Sequence, residues 1–131
     1  MITAVDTNIL LDVFHSDSFY GSQSREAMRE AFDRGGILVC DLVYAELVPT
    51  FKDRDTLDGA LRELGARSSP IDTEIAFEAG LRWMRYRQAG GPRDRIITDF
   101  LIGAHAMVSA DAFLTRDRGF YETYFPELSE N

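Results

Sequence analysis

Four acidic residues of this chain stand where a surface position, a turn or a helix cap does not readily explain them. Asp6 ends a short apolar run rich in β-branched residues, and Asp117 follows the last such run by two residues. Glu46 lies inside an apolar helical segment, and Asp99 lies at the margin of an apolar helical stripe. Asp6 could also be an ordinary helix N-cap, because the apolar residues that follow it recur at helical spacing.

Carboxylates gathered in this number need a cation among them. Two carboxylates about 5 Å apart repel by roughly 3 kcal/mol at an effective dielectric constant of about 20, and four would protonate or move apart. An all-oxygen site suits Mg²⁺ or Mn²⁺ better than zinc. Such an ion can ionise a water near neutral pH and stabilise the leaving oxygen of an in-line displacement. The predicted chemistry is hydrolysis of a phosphodiester by a metal-activated water, with no His, Ser or Cys nucleophile.

The elements that must bring these acids together alternate between strands and helices. Buried strands are predicted at 2–5, 37–40 and 112–115, with a weaker edge strand at 66–71 that contains Pro70. A helix is predicted directly after Asp6, and further helical segments are predicted at 22–34, 42–48, 56–64, 73–88, 96–110 and 120–125. This alternation indicates an α/β fold with a parallel sheet covered on both faces. The carboxyl ends of its strands share one edge, where Asp6, Glu46, Asp99 and Asp117 can converge.

Length, composition and charge restrict the class of protein. The 131 residues are predicted to form one domain, 1–131, and 45% of them are hydrophobic, which is enough for a core. No apolar run could span a bilayer and no signal peptide is visible, so we expect no membrane association and a cytoplasmic location. The single cysteine, Cys40, excludes a disulfide within the chain. A net charge of −8 does not suit general polyanion binding, so action on nucleic acid requires a local cation.

Five arginines lie within fourteen residues around a Gly-Gly-Pro break at 90–92, namely Arg82, Arg85, Arg87, Arg93 and Arg95. For Arg93 and Arg95 we favour a role as guides for RNA phosphates near the acidic edge. For Arg82 and Arg85 a solvated helix face is the preferred interpretation, with Glu78 paired to Arg82 four residues later.

Four other polar residues are given structural roles. His15 and His105 lack the spacing of a metal-binding pair, and no H-E-x-x-H motif is present. Asp12 lies two turns into the first helix and is expected to be solvated or salt-bridged rather than a ligand. Asp94 is predicted to be the N-cap of the helix that carries Asp99.

The order and spacing of four short motifs resemble those of a known family. The motifs are VDTNILLD at 5–12, YAEL at 44–47, TDFLIGAHA at 98–106 and TRD at 115–117. Together they resemble the four motifs of the PIN-domain ribonucleases, and above all those of the VapC toxins of bacterial and archaeal VapBC toxin–antitoxin pairs. The resemblance covers about residues 1–126.

This resemblance implies a three-layer α/β/α fold around a parallel sheet of four to five strands. It implies Mg²⁺- or Mn²⁺-dependent cleavage of RNA, with Asp6, Glu46, Asp99 and Asp117 as the metal-binding quartet. Asn8 and Thr115 match the polar residues that accompany the quartet and would orient its members or metal-bound waters. The resemblance also implies a homodimer, and inhibition by a VapB antitoxin whose C-terminal segment lies across the active site.

One departure from the family pattern and two alternative functions stay open at this point. VapC-like chains often end with a fifth strand, whereas residues 126–131 are few and polar. A receiver-type phosphoacceptor domain also places Asp residues at strand ends, but it needs a lysine beside them, and Lys52 lies past the Glu46 helix. The other alternative is a non-catalytic binding module on a PIN-like scaffold, in which the acids serve regulation or assembly.

Overall fold

A parallel sheet forms the centre of the computed structural model, which describes residues 1–92 and 95–130. Its strands are β1 (Ile2–Val5), β2 (Gly36–Cys40), β3 (Ala66–Ser69) and β4 (Ala112–Leu114). They lie in the order β3-β2-β1-β4, and every pairing is parallel. The central β1 pairs with both neighbours, since Ala4 lies opposite Leu38 of β2 and Phe113 of β4. The sheet therefore has one common carboxyl edge, formed by the ends of all four strands.

Helices connect these parallel strands. The α-helices are α1 (Thr7–Phe14), α2 (Gly21–Arg34), α3 (Asp41–Leu47), α4 (Arg54–Glu63), α5 (Thr73–Gln88), α6 (Ile97–Ser109) and α7 (Arg118–Tyr124). Two short 3₁₀ helices are also present, Val48–Thr50 and Pro126–Glu130. One residue separates β1 from α1, and α3 follows β2 directly. The residues that open these helices therefore lie at the carboxyl edge. Within the described residues, no helix has the length and apolar character needed to cross a bilayer.

Two apolar clusters hold the helices against the sheet. One joins β1 and β2 to α1, α2, α3 and α4 and includes Leu10, Ile37 and Val43, each fully buried. The other joins α5, α6 and α7 and is built around Phe100, whose ring packs against Phe120 with centroids 5.3 Å apart. Helices thus flank the sheet, as the predicted α/β/α architecture requires.

The predicted elements agree closely with the observed ones. β3 ends before Pro70 and pairs with β2 alone, so it is an edge strand, as the proline and the polar composition predicted. The chain after α7 forms a 3₁₀ helix at Pro126–Glu130 rather than a fifth strand. Of the four or five strands expected, four are therefore present in the part of the chain that the structure describes.

Candidate active site at the carboxyl edge of the sheet

Asp6 is the fixed centre of the acidic site. It follows β1 directly, is 8% exposed, and is the N-cap of α1, where its Oδ1 accepts a hydrogen bond from the Thr7 backbone N–H at 2.8 Å. Its Oδ2 accepts from the Thr115 hydroxyl at 2.7 Å and from the Asn8 amide at 3.3 Å. The residue is therefore both a helix cap and a buried carboxylate, so the two interpretations of Asp6 do not exclude each other.

The environment of Asp6 is that of a crowded acid. Burial raises the pKa of this carboxyl above its ordinary value, although the hydrogen bonds from Thr115 and Thr7 lower it in part. The negative charges of Glu46 and Asp117 raise the pKa further. These two acids, 40 and 111 residues away in sequence, thus lie close enough to Asp6 to disfavour its ionised form.

Glu46 reaches this edge from α3. Its side chain is exposed, and its Oε1 accepts a hydrogen bond from the Thr7 hydroxyl at 2.8 Å. Thr7 therefore connects two of the acids, since its backbone N–H binds Asp6 while its hydroxyl binds Glu46.

Asp117 follows β4 and is held from both sides. Its backbone N–H donates to the Thr115 hydroxyl at 3.0 Å. Its carboxylate forms a two-point ion pair with Arg95, in which Nη2 lies 3.2 Å from Oδ1. The Arg95 guanidinium also lies over the Phe120 ring, 4.2 Å from its centroid. Arg95 thus belongs to the acidic site, but in this structure it neutralises one of the acids.

Asp99 lies in the first turn of α6, where its Oδ2 accepts a weak hydrogen bond from the Ile96 backbone N–H at 3.3 Å. Its position is linked to the other acids through Tyr121 of α7, whose buried phenol donates to the Asp99 backbone carbonyl at 3.3 Å. Burial raises the pKa of the Tyr121 phenol, and the negative charges of Asp6, Asp99 and Asp117 raise it further. One phenol therefore lies near three of the four acids.

Asn8 and Thr115 connect the β1 and β4 sides of the site. The Asn8 amide donates to Asp6 and, at 3.5 Å, to the Thr115 hydroxyl, while its Oδ1 accepts from the Arg116 backbone N–H at 3.2 Å. Both side chains therefore donate a hydrogen bond to Asp6.

The four acids suit a hard divalent cation by chemistry, because every donor is a carboxylate oxygen. Within residues 1–92 and 95–130, however, no three His, Cys, Asp or Glu side chains are already arranged to hold one ion. Glu46 is hydrogen-bonded to Thr7, and Asp117 is paired with Arg95. A cation that used Asp117 would therefore compete with Arg95 for its carboxylate, whereas Glu46 can keep its hydrogen bond from Thr7 and still offer its second oxygen.

The remaining candidates have structural contacts. Asp12 is 4% exposed and forms a two-point ion pair with Arg116, consistent with the predicted salt-bridged acid. His105 is 1% exposed and hydrogen-bonds the Ser69 hydroxyl. Arg82 pairs with Glu78, as the i,i+4 spacing predicted. The predicted solvated helix face is wrong for Arg82, because its side chain is 13% exposed and its guanidinium packs over the Phe125 ring. Arg93 and Asp94 lie outside the described residues.

Tyr121 and Arg116 are the site residues that sequence reasoning missed. Tyr121 gives no signal in the sequence, because it is one of several aromatic residues in a short helical segment. Arg116 lies between Thr115 and Asp117 in the TRD motif, and that position could have drawn attention to it.

Comparison of the sequence with models of known protein families assigns this chain to a family. Residues 3–126 match the family model of the PIN domain. The chain belongs to the PIN domain family. No curated protein sequence matches it.

Several solved structures have the same fold. One is VapBC2 from Rickettsia felis, bound to a DNA fragment from the VapBC2 promoter. That match has a TM-score of 0.70 and 20% sequence identity, and covers 98% of this chain and 96% of the other. For VapBC-1 from nontypeable Haemophilus influenzae the TM-score is 0.68 and the identity 17%, with 99% and 94% covered. For Mycobacterium tuberculosis VapC20, described as a toxin that cleaves the sarcin–ricin loop, the values are 0.63 and 13%, with 90% and 93% covered. This PIN domain therefore has a fold similar to these toxin–antitoxin structures.

Proposed function

We propose that this PIN-domain protein is a metal-dependent endoribonuclease and the toxin of a toxin–antitoxin pair. The observation that carries the proposal is the gathering of Asp6, Glu46, Asp99 and Asp117 at one edge of the sheet. Glu46 and Asp117 both act on the charge of Asp6, and the Tyr121 phenol lies near Asp6, Asp99 and Asp117. Part of this repulsion is offset by Arg95, which pairs with Asp117. A divalent cation would offset the rest, which supports a site built for one.

In this proposal the four acids bind Mg²⁺ or Mn²⁺, and RNA binds across the carboxyl edge. The cation would stabilise negative charge on the phosphodiester oxygens and make a water more acidic. Asp6 cannot turn away, because Thr7, Asn8 and Thr115 hold both of its oxygens. Asn8 and Thr115 position that carboxylate, and the cation would displace Arg95 from its ion pair with Asp117.

The proposed partner is a VapB-type antitoxin, and the proposed assembly is a homodimer. The structures of similar fold from Rickettsia felis and Haemophilus influenzae are VapBC complexes, which supports a partner of this type. The third, Mycobacterium tuberculosis VapC20, is described as a sarcin–ricin loop cleaving toxin, which supports a nucleic-acid loop as the kind of substrate.

The strand order argues against a receiver-type phosphoacceptor. In that fold the order is 2-1-3-4-5, so the third strand lies beside the first. Here β3 pairs with β2, and β4 takes the place beside β1. The lysine that such a domain requires is also missing from the contacts described for the acids, which involve Thr7, Asn8, Thr115 and Arg95.

A non-catalytic PIN-like binding module stays as the second candidate. The observation that favours it is the Arg95–Asp117 ion pair, which neutralises one acid within the chain itself. A module that uses its acids for assembly would keep this pair permanently, whereas a nuclease would have to release it.

A cleavage assay separates these functions. The purified protein is incubated with total RNA in Mg²⁺ or Mn²⁺, alongside Asp99→Asn and the matched control Glu63→Gln, an exposed acid at the end of α4. We expect cleavage by the wild type and the control, abolished by EDTA, and a loss of about 100-fold or more in Asp99→Asn. Full activity in Asp99→Asn, or RNA binding with no turnover, would favour the binding module.

A test in cells addresses the toxin role. Expression of the wild type should arrest growth, and co-expression of the product of a small neighbouring reading frame should relieve the arrest. Expression of Asp99→Asn should leave growth normal. Growth arrest by Asp99→Asn equal to that of the wild type would contradict a toxicity that depends on cleavage.

A further inference from the structure

A cavity of about 250 Å³ opens next to the acidic site, on the side of α2. Its lining includes Thr115, Arg116 and Arg118 from the β4 side and Tyr20 and Gln23 from the α2 side. We propose that this cavity binds one nucleobase of the RNA, next to the phosphodiester that is cleaved. The inference rests on the proposed ribonuclease function and names the residues that would select the nucleotide.

Arg116 is held in a fixed orientation at the cavity wall. Its Nε and Nη2 donate to the two carboxylate oxygens of Asp12 at 2.7 and 3.0 Å. Asp12 is itself buried, and it also accepts a hydrogen bond from the Ser24 hydroxyl at 2.7 Å. Because Nε and Nη2 are engaged, the guanidinium cannot rotate freely, and little conformational entropy would be lost when it binds a ligand.

This orientation leaves hydrogen-bond donors available. The Nη1 group of Arg116 makes no hydrogen bond to the described residues, and the side chain is 37% exposed. The guanidinium lies over the Tyr20 ring, 4.0 Å from its centroid. Guanidinium planes and aromatic rings are the surfaces on which unpaired bases stack in single-stranded RNA complexes. Phe19, 80% exposed and packed edge-on against Tyr20, extends this surface beyond the cavity.

Thr115 lies between the cavity and the acidic site. This residue lines the cavity, and its hydroxyl donates to Asp6. A nucleotide bound in the cavity would therefore lie one side chain away from the central carboxylate. Arg95 is less suited to hold the substrate, because it is already paired with Asp117.

Charge and polarity also fit a nucleotide. Asp12 compensates Arg116, so the net positive charge of the wall comes from Arg118, an exposed arginine with no ion pair among the described residues. A phosphate beside Arg118 would be stabilised in a chain that is otherwise acidic. Gln23 supplies an exposed amide with both a donor and an acceptor, which is what reading the edge of a base requires.

The test measures nucleotide binding in EDTA, where no cleavage takes place. Amide chemical shifts of the full chain are followed during titration with each of the four ribonucleoside 5′-monophosphates and with ribose 5-phosphate. The variants are Gln23→Ala and Arg118→Gln, both at exposed positions, and the matched control is Arg25→Gln, an exposed arginine of α2 outside the cavity lining.

We expect at least one mononucleotide to shift the amides of residues 20–24 and 115–118, and ribose 5-phosphate to shift them much less. Gln23→Ala and Arg118→Gln should each weaken this binding by about five- to tenfold, the size of a lost base or phosphate contact, while Arg25→Gln should bind as the wild type does. In RNA cleavage the same two variants should raise KM by a similar factor and leave kcat within about twofold.

Equal shifts from ribose 5-phosphate, no shifts at these residues, or unchanged binding in both variants would overturn the inference. These failures are distinct from failure of the proposed function. A protein that cleaves RNA through Asp99, yet has unchanged KM in the two cavity variants, would retain the ribonuclease function without this cavity. Nucleotide binding in the cavity without any RNA cleavage would retain the cavity and contradict the ribonuclease function.

Discussion

Replacement of Arg95 by alanine tests whether the acidic site is built to exchange an internal cation for a metal ion. Arg95→Ala removes both the ion pair with Asp117 and the contact with the Phe120 ring. The paired side chains are 27% and 35% exposed, so solvent screens the pair substantially. Such a pair stabilises the fold by at most about 1 kcal/mol, and the cation–π contact adds roughly 0.5 kcal/mol. We therefore expect the free energy of unfolding in EDTA to fall by about 1 kcal/mol.

The same change should strengthen metal binding. In the wild type a cation must displace Arg95 from Asp117, and that cost is absent in the variant. Because 1.36 kcal/mol corresponds to a factor of ten, release of up to about 1 kcal/mol lowers the Kd for Mn²⁺ by up to about fivefold. Stability without metal and affinity for metal should thus change in opposite directions.

The assay combines urea denaturation in EDTA with calorimetric titration of Mn²⁺. Arg87→Ala is the matched control, since Arg87 lies 4.9 Å over the Trp83 ring but has no ion pair with any of the four acids. It should lower stability slightly and leave the Mn²⁺ affinity unchanged. Unchanged or weaker Mn²⁺ binding by Arg95→Ala would refute the exchange, and would mean that Arg95 supports the metal site or lies apart from it.

Two further predictions concern pH and the ion pair behind the cavity. Because the pKa of Asp6 is raised in the folded protein, the folded state binds this proton more strongly than the unfolded state, whose value is near 3.8. Asp6 therefore favours folding most at low pH, and in EDTA its contribution declines as the pH rises through 3.8 toward the folded pKa. Urea denaturation from pH 4 to 7 should show a smaller decline for Asp6→Asn than for the wild type, and an equal decline would contradict the crowding of this acid. Asp12→Ala should lower the free energy of unfolding by about 2 kcal/mol, because it leaves Arg116 and Ser24 without their buried partner. The exposed Asp33→Asn serves as its control, and a loss below about 0.5 kcal/mol for Asp12→Ala would show that the pair is not a structural support.

The placement of the acids could be predicted because it follows from local patterns. An apolar run that ends at Asp6, and another that ends just before Asp117, places both at the ends of strands. A sheet in which every strand runs parallel then brings those ends to one edge. The observed sheet order and the charges acting on Asp6 agree with this reasoning. The short polar tail likewise argued against a fifth strand, and residues Pro126–Glu130 form a 3₁₀ helix instead.

The partners of the charged side chains could not be predicted, because they depend on long-range packing. Arg116 and Asp12 are 104 residues apart in sequence, and nothing in their local patterns connects them. Arg95 follows a Gly-Gly-Pro break, where no helical periodicity predicts which way its side chain points. Its pairing with Asp117 depends on the position of the residues that lead into α7. The cavity beside Thr115 depends in the same way on the distance between α2 and the end of β4.

Titration of Mn²⁺ into the metal-free protein tests the central claim most directly. The claim is that Asp6, Glu46, Asp99 and Asp117 together form a divalent-cation site. It predicts saturable binding by the wild type and by Glu63→Gln, weakened at least about tenfold in Asp99→Asn. Absence of binding by the wild type, or equal binding by Asp99→Asn, would contradict it.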